Sequence, residues 1–347
     1  MNIPVWVWAA TLGGLLLLLL IDLVIVDSKP HEVTVGEAAR WVTFYVAIAV
    51  LFGLGIWFFS GGQHAGEYFA GYITEYSLSV DNLFIFLVIM SAFKVPKVHQ
   101  HKVLLVGILL ALVMRGIFIA VGAAAIAEFS WVFYLFGVFL IYTAWKLSST
   151  GLGHDDEDYE ENKVTTLARK FLPVAEDYHG SKTITKIDGK RYVTPMMIVM
   201  IAIGSADLMF AVDSIPAIFG LTKEPFLVFT ANAFALMGLR QLYFLLGGLL
   251  KKLVYLSIGL AVILGFIGVK LILEALHSNT LSFINNGEGL HVPTVGIEVS
   301  LAVIVGVLAI TAIASLMKSR KDEKKAAEEN ADSEDATDSS KSQSSNA

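Results

Sequence analysis

Residues 206–218 read ADLMFAVDSIPAI and residues 74–86 read TEYSLSVDNLFIF. Each places two acids six positions apart, Asp207 and Asp213 in one and Glu75 and Asp81 in the other, inside runs that are otherwise apolar. An ionised carboxylate at the centre of a membrane span costs at least ~2.5 kcal/mol on insertion scales, so four of them need a compensating reason. The two stretches share one pattern: an acid, five residues, Asp, then Ser214 or Asn82, then an aliphatic residue. The match extends outward. ALVMRGIFIAVG at 111–122 answers ALMGLRQLYFLLGG at 235–248, so that Arg115 pairs with Arg240, and the third segments end in Lys146 and Lys270. Each unit is therefore three helices, repeated.

The rest of the chain supports a lipid solvent. Of 347 residues, 56% are apolar and 16% charged, where an ordinary globular chain carries roughly a quarter charged. Runs long enough to cross a ~30 Å hydrocarbon core occur near 4–26, 39–60, 69–92, 103–126, 130–148, 194–219, 226–248, 253–275 and 296–317. The first lacks a basic leader region and a small-residue cleavage pattern, and reads as a retained span. Basic residues then orient the set. Lys29 and Arg40, Lys94, Lys97 and Lys102, the many of the long connection, Lys251 and Lys252, and those of the tail fall on one side; Lys223 stands alone on the other. This places the N-terminus outside and the C-terminus in the cytoplasm. Three-helix units entering from opposite sides are inverted, the architecture of many secondary transporters. The sequence thus predicts an all-α polytopic membrane protein with about nine transmembrane helices and an inverted 3+3 helix repeat.

The expected organisation is two N-terminal helices over 1–68, a first three-helix unit over 69–148 and a cytoplasmic connection over 149–193. A second unit over 194–275, an outer loop with the last span over 276–317, and a disordered tail over 318–347 follow. Within the connection, Asp188-Gly189 between β-forming residues signals a hairpin. The tail has no apolar face.

Cysteine is absent, so a metal must bind through oxygen or nitrogen. Six residues turn an ideal helix by about 240° and advance it ~9 Å, which puts the two acids of each helix on different stripes. Glu75 shares its stripe with Ser79 and Asn82, and Asp207 with Ser214, while Asp81 and Asp213 turn away. Both faces must be buried, or the helix interrupted; Pro216 favours interruption and would free the carbonyl of Val212 beside Asp213. Carboxylates, amide and hydroxyl oxygens suit Mg, Ca or Mn over Cu or Zn. The four acids against Arg115 and Arg240 leave two negative charges, matching one divalent cation. A structural ion-pair network with the two arginines is the bland alternative, which the cost of intramembrane charge disfavours. For Arg115 and Arg240 themselves, orienting the acids is the better reading. Asp22, a turn from the end of its span, reads as interfacial, with a transport path as the alternative; Met90, Met200 and Met209 read as packing. His99, His101 and the acidic run from His154 read as solvated loop. No activated nucleophile or cofactor fingerprint lies on any span, so no enzyme, no bound cofactor and no nucleic-acid partner are expected.

The two acid motifs, with FLPVAEDYHG and GKRYVTP in the long connection, closely resemble the TerC family of integral membrane proteins over roughly residues 35–275. The resemblance implies a cell-membrane transporter exporting a divalent cation, Mn2+ foremost, with proton exchange through the same carboxylates. Glu75, Asp81, Asp207 and Asp213 fall at the family's membrane acids, with Asn82 and Ser214 beside them. Where the family pattern places another acid three positions before Asp207, this chain has Gly204. The resemblance also implies a competing role: an accessory in metal loading of exported enzymes, in membrane-protein assembly or in tellurite resistance, with protein partners.

Overall fold

The computed structural model describes residues 3–26, 34–129, 131–150, 163–175, 177–178, 180, 182–187, 189–246, 254–279, 281 and 284–344. It is a helical bundle. The first half contains α1 (Val5–Val26), α2 (Val35–Ser60), α3 (Gly62–Ala92), α4 (Lys97–Glu128) and α5 (Val132–Thr150). A short α6 (Lys163–Phe171) and the strands β1 (Ile184–Ile187) and β2 (Lys190–Val193) lead to the second half. That half holds α7 (Pro195–Phe219), α8 (Pro225–Met237), α9 (Leu239–Leu246), α10 (Leu256–His277) and α11 (Ile297–Ser344). Among the described residues, seven helices are long and apolar enough to cross a membrane. The two remaining expected spans are α1, apolar over Val5–Ile21, and the segment that divides at Gly238 into α8 and α9.

Local chemistry sets the boundaries. Thr34 caps α2 by accepting from the Glu37 amide at 3.3 Å, a side-chain N-cap. Gly61 separates α2 from α3 at φ 89°, where a side chain would be strained. Pro195 and Pro225 stand at the first turns of α7 and α8, where a missing N–H costs nothing. The expected hairpin is present: β1 and β2 pair antiparallel with Ile187 opposite Lys190, and Gly189 turns at φ 78°. Asp188 lies outside the described residues.

Two expectations change. Pro216 does not interrupt α7, which runs unbroken to Phe219. The proline sits in the last turn, so only the carbonyl of Val212 loses its partner, and buried packing from Ser214 to Phe219 holds the turn. The tail, expected to be disordered, continues α11 as helix to Ser344; its Lys, Glu and Ala around 321–329 are strong helix formers.

Packing is reciprocal between the halves. α3 lies on α8, α4 on α7, α5 on α10 and α3 on α7, while α2 covers α3 and α9, and α11 covers α3 and α10. Trp8 of α1 meets Phe226 of α8 edge-on at 4.9 Å. Arg115 and Arg240 are the largest fully buried side chains.

Candidate functional site

α3, α4 and α7 bring three of the predicted residues together. The Arg115 guanidinium reaches Glu75 through Nη1, and Asp207 through Nη2 at 3.2 Å and Nε at 3.4 Å. This two-pronged approach to Asp207 is the strong form of the arginine–carboxylate pair. All three side chains are buried, with Glu75 and Arg115 at 0% exposure and Asp207 at 3%. Ser79, one turn along α3, donates to Glu75 Oε1 at 3.4 Å. Asn82 is buried one turn further, so the stripe read from sequence is the inward face of α3.

Apolar layers bracket the cluster. One layer contains Ala111 of α4 and Ile203 of α7; the other contains Ile119 and Ala211. Arg115 and Asp207 each sit four residues from both of their layer residues, on the same helical stripe. The acids are therefore held between two dry walls, where charge interacts more strongly than in water.

Some oxygens on these helices are unsatisfied. Glu75 Oε2, Thr74 Oγ1 and Ser214 Oγ are buried with no hydrogen-bond partner among the described residues. Each such group costs about 1–3 kcal/mol relative to a satisfied one, and an unpaired carboxylate oxygen such as Glu75 Oε2 is the kind of donor a hard cation takes.

Asp213 is placed elsewhere. It faces α5, where the Thr143 hydroxyl donates to it at 3.2 Å, and it is only partly buried. Arg240 is 1% exposed, in α9. The side chains of Asp81 and Asp22 lie outside the described residues. No three His, Cys, Asp or Glu side chains converge among the described residues. At Gly204 an added Cβ would lie 2.5 Å from Leu110 Cδ2; close packing of α4 on α7 occupies the space a longer side chain would need.

Two features escaped the sequence reading. A cavity of about 960 Å³ opens at the bundle end where α3 begins and α7 ends, lined in part by Glu67, Lys223, Glu224, Lys270, Glu274 and Glu298. Thr222 donates to Glu67 at 2.7 Å, Lys223 pairs with Glu274 at 2.7 Å, and Lys270 donates to Ser300 at 3.1 Å. Glu67 precedes Glu75 by two turns on one stripe, about 12 Å along α3; that spacing was the available signal. The second feature is Asn232 of α8, 1% exposed, an amide inside an apolar helix.

The model of the Integral membrane protein TerC family matches residues 60–323. An uncharacterized membrane protein of Mycobacterium tuberculosis is 51% identical over 318 residues, covering 90% of this chain and 80% of the relative. The chloroplastic thylakoid membrane protein TERC of Arabidopsis thaliana is 40% identical over 292 residues, covering 84% and 72%. Escherichia coli Alx, named as a candidate membrane-bound redox modulator, is 35% identical over 331 residues, covering 92% and 97%. No solved structure matches the chain.

Proposed function

Since the chain belongs to the TerC family of integral membrane proteins, we propose that it is a transporter exporting a divalent cation, Mn2+ foremost, through the layer that holds Glu75 and Asp207. The observation that carries the reading is the convergence of those two acids from matching helices on Arg115, with Glu75 Oε2 buried and unpartnered. A purely structural network is expected to satisfy its own oxygens, because an orphaned buried acceptor is costly. In this reading Arg115 is the resident counter-charge, and an arriving cation competes with it for the carboxylates. A proton on either carboxylate weakens its hold on both Arg115 and metal, which is the physical basis for exchange.

The reciprocal packing of α3 on α8 and α4 on α7 supports two repeated units, and the meeting of the start of α3 with the end of α7 at the cavity, which sets these matching helices antiparallel, favours inverted ones. In a cell membrane the distribution of Lys and Arg favours the orientation with both α3's start and the acidic cavity outside; the cavity is then the vestibule of release. Absence of cysteine argues against any thiol redox role of the kind the name of Alx could suggest.

The test is manganese retained by Mn-loaded cells that lack other exporters. Expression of the chain should lower retained Mn severalfold, and Glu75→Gln with Asp207→Asn, at equal membrane level, should abolish the effect. If expression changes nothing, or the double substitution keeps full activity, the export reading gives way to the accessory role.

A further inference from the structure

Asn232 is the least explained polar side chain in the bundle. It is 1% exposed, and neither its Oδ1 nor its Nδ2 has a hydrogen-bond partner among the described residues. A buried primary amide offers two donors and an acceptor with two lone pairs, so leaving all of them unmade costs more than one orphaned hydroxyl does. Bulk packing cannot be the reason for it, since a leucine fills similar space without that cost.

Its position follows from its neighbours on α8. Val228, four residues before it, belongs to the apolar layer with Ile119 and Ala211, and Leu236, four residues after it, belongs to the layer with Ala111 and Ile203. Residues four apart share a helical stripe, so Asn232 lies between these layers and on the side of α8 that meets both α4 and α7. Arg115 is bracketed on α4 by the same two layers, and Asp207 on α7 likewise. Three helices thus each place one polar residue at one level of an otherwise apolar core. α3 passes within a turn of this level. An added Cβ at Gly71, one turn before Glu75, would lie 3.4 Å from Ala231 Cβ, next in sequence to Asn232.

We propose that Asn232 is a ligand of the ion site: its amide oxygen binds the divalent cation together with Glu75 Oε2, and its amide nitrogen donates to a neighbouring carboxylate. This deepens the transport reading and rests on it. A neutral oxygen beside two carboxylates lowers the charge of the donor set without lowering its number, and ligand charge and number are what tune a site among hard cations. Asn232 is then a residue that sets selectivity as well as affinity.

The experiment uses the full chain purified in detergent, with Mn2+ and Mg2+ binding measured by calorimetry and thermal unfolding recorded for each variant. Asn232→Leu should fold with a similar midpoint and bind Mn2+ at least tenfold more weakly. Asn232→Asp should keep binding and shift the Mn2+ to Mg2+ preference by fivefold or more, because it adds a charge at the same oxygen. Should Asn232→Leu fail to fold, Asn232→Asp decides alone: an unchanged preference overturns the proposal. Equal Mn2+ affinity in Asn232→Leu and the unaltered chain also overturns it, leaving the transport reading intact. If the unaltered chain binds neither Mn2+ nor Mg2+, the transport reading fails first and this inference falls with it.

Discussion

Arg115 shows how much rests on one side chain. It sits between Glu75 and Asp207 with all three buried, and removing one partner of a buried network leaves an uncompensated charge worth about 3–5 kcal/mol. Arg115→Met should therefore lower stability by about that amount, read as the unfolding midpoint of the purified protein. Adding Glu75→Gln and Asp207→Asn to it should recover most of the loss. If the triple substitution is no more stable than Arg115→Met alone, charge compensation is not what Arg115 supplies. That these buried charges matter was legible in sequence, because intramembrane charge is expensive enough to announce itself; which acids Arg115 takes was not. Asn232 was not noticed, since a neutral amide costs less and stands out less in an apolar run. The partner of Asp213 was illegible for another reason. Thr143 reaches it only because α5 packs beside α7, a fact of tertiary arrangement that no local pattern encodes.

At the level of helices, α5 and α10 approach at the backbone. A Cβ added at Gly137 would lie 2.6 Å from Ile272 Cγ1 and 2.9 Å from the Gly268 carbonyl, and one added at Gly268 would lie 2.9 Å from the Gly137 carbonyl. Small residues permit such contact where lipid offers no hydrophobic drive to association. Gly268→Ala should therefore cost about 1–3 kcal/mol through overpacking, despite its better helix propensity. Gly14→Ala, with nothing within 4 Å, should be neutral or slightly stabilising; equal unfolding midpoints for the two variants would contradict the close approach. Hydropathy located the apolar segments well, since length and composition alone decide them. It missed the division at Gly238 because a single glycine is tolerated in a continuous span as readily as at a break. It overrated Pro216 for a related reason: a proline's bend matters in proportion to the helix it redirects, and here only Ala217, Ile218 and Phe219 follow it in α7.

For the molecule as a whole, orientation decides what the acidic cavity is for. The cavity and the β1–β2 hairpin belong to opposite ends of the bundle, because α3 begins and α7 ends at the first, while α7 begins directly after β2. Lys and Arg gather on the hairpin's side, against Lys223 and Lys270 on the cavity's, so the hairpin should face the cytoplasm and the cavity the exterior. The absence of cysteine makes this directly measurable, since any introduced thiol is the sole target for a maleimide. In intact cells a membrane-impermeant maleimide should label Gln63→Cys at the cavity and leave Lys190→Cys on the hairpin unlabelled; permeabilised cells should label both. Glu67 then lies two turns outward from Glu75 on the same stripe, and in the proposed export an ion leaving the Glu75–Asp207 layer would meet carboxylates of the cavity before bulk water. If the chain exports a cation as proposed, Lys223 and Lys270, already paired there with Glu274 and Ser300, would keep that mouth from binding the ion too tightly to release it. The reverse labelling pattern would turn the cavity into an intake. Its acids would then concentrate cations on the cytoplasmic side, and the release route would have to run past Asn82 toward the other end of α3.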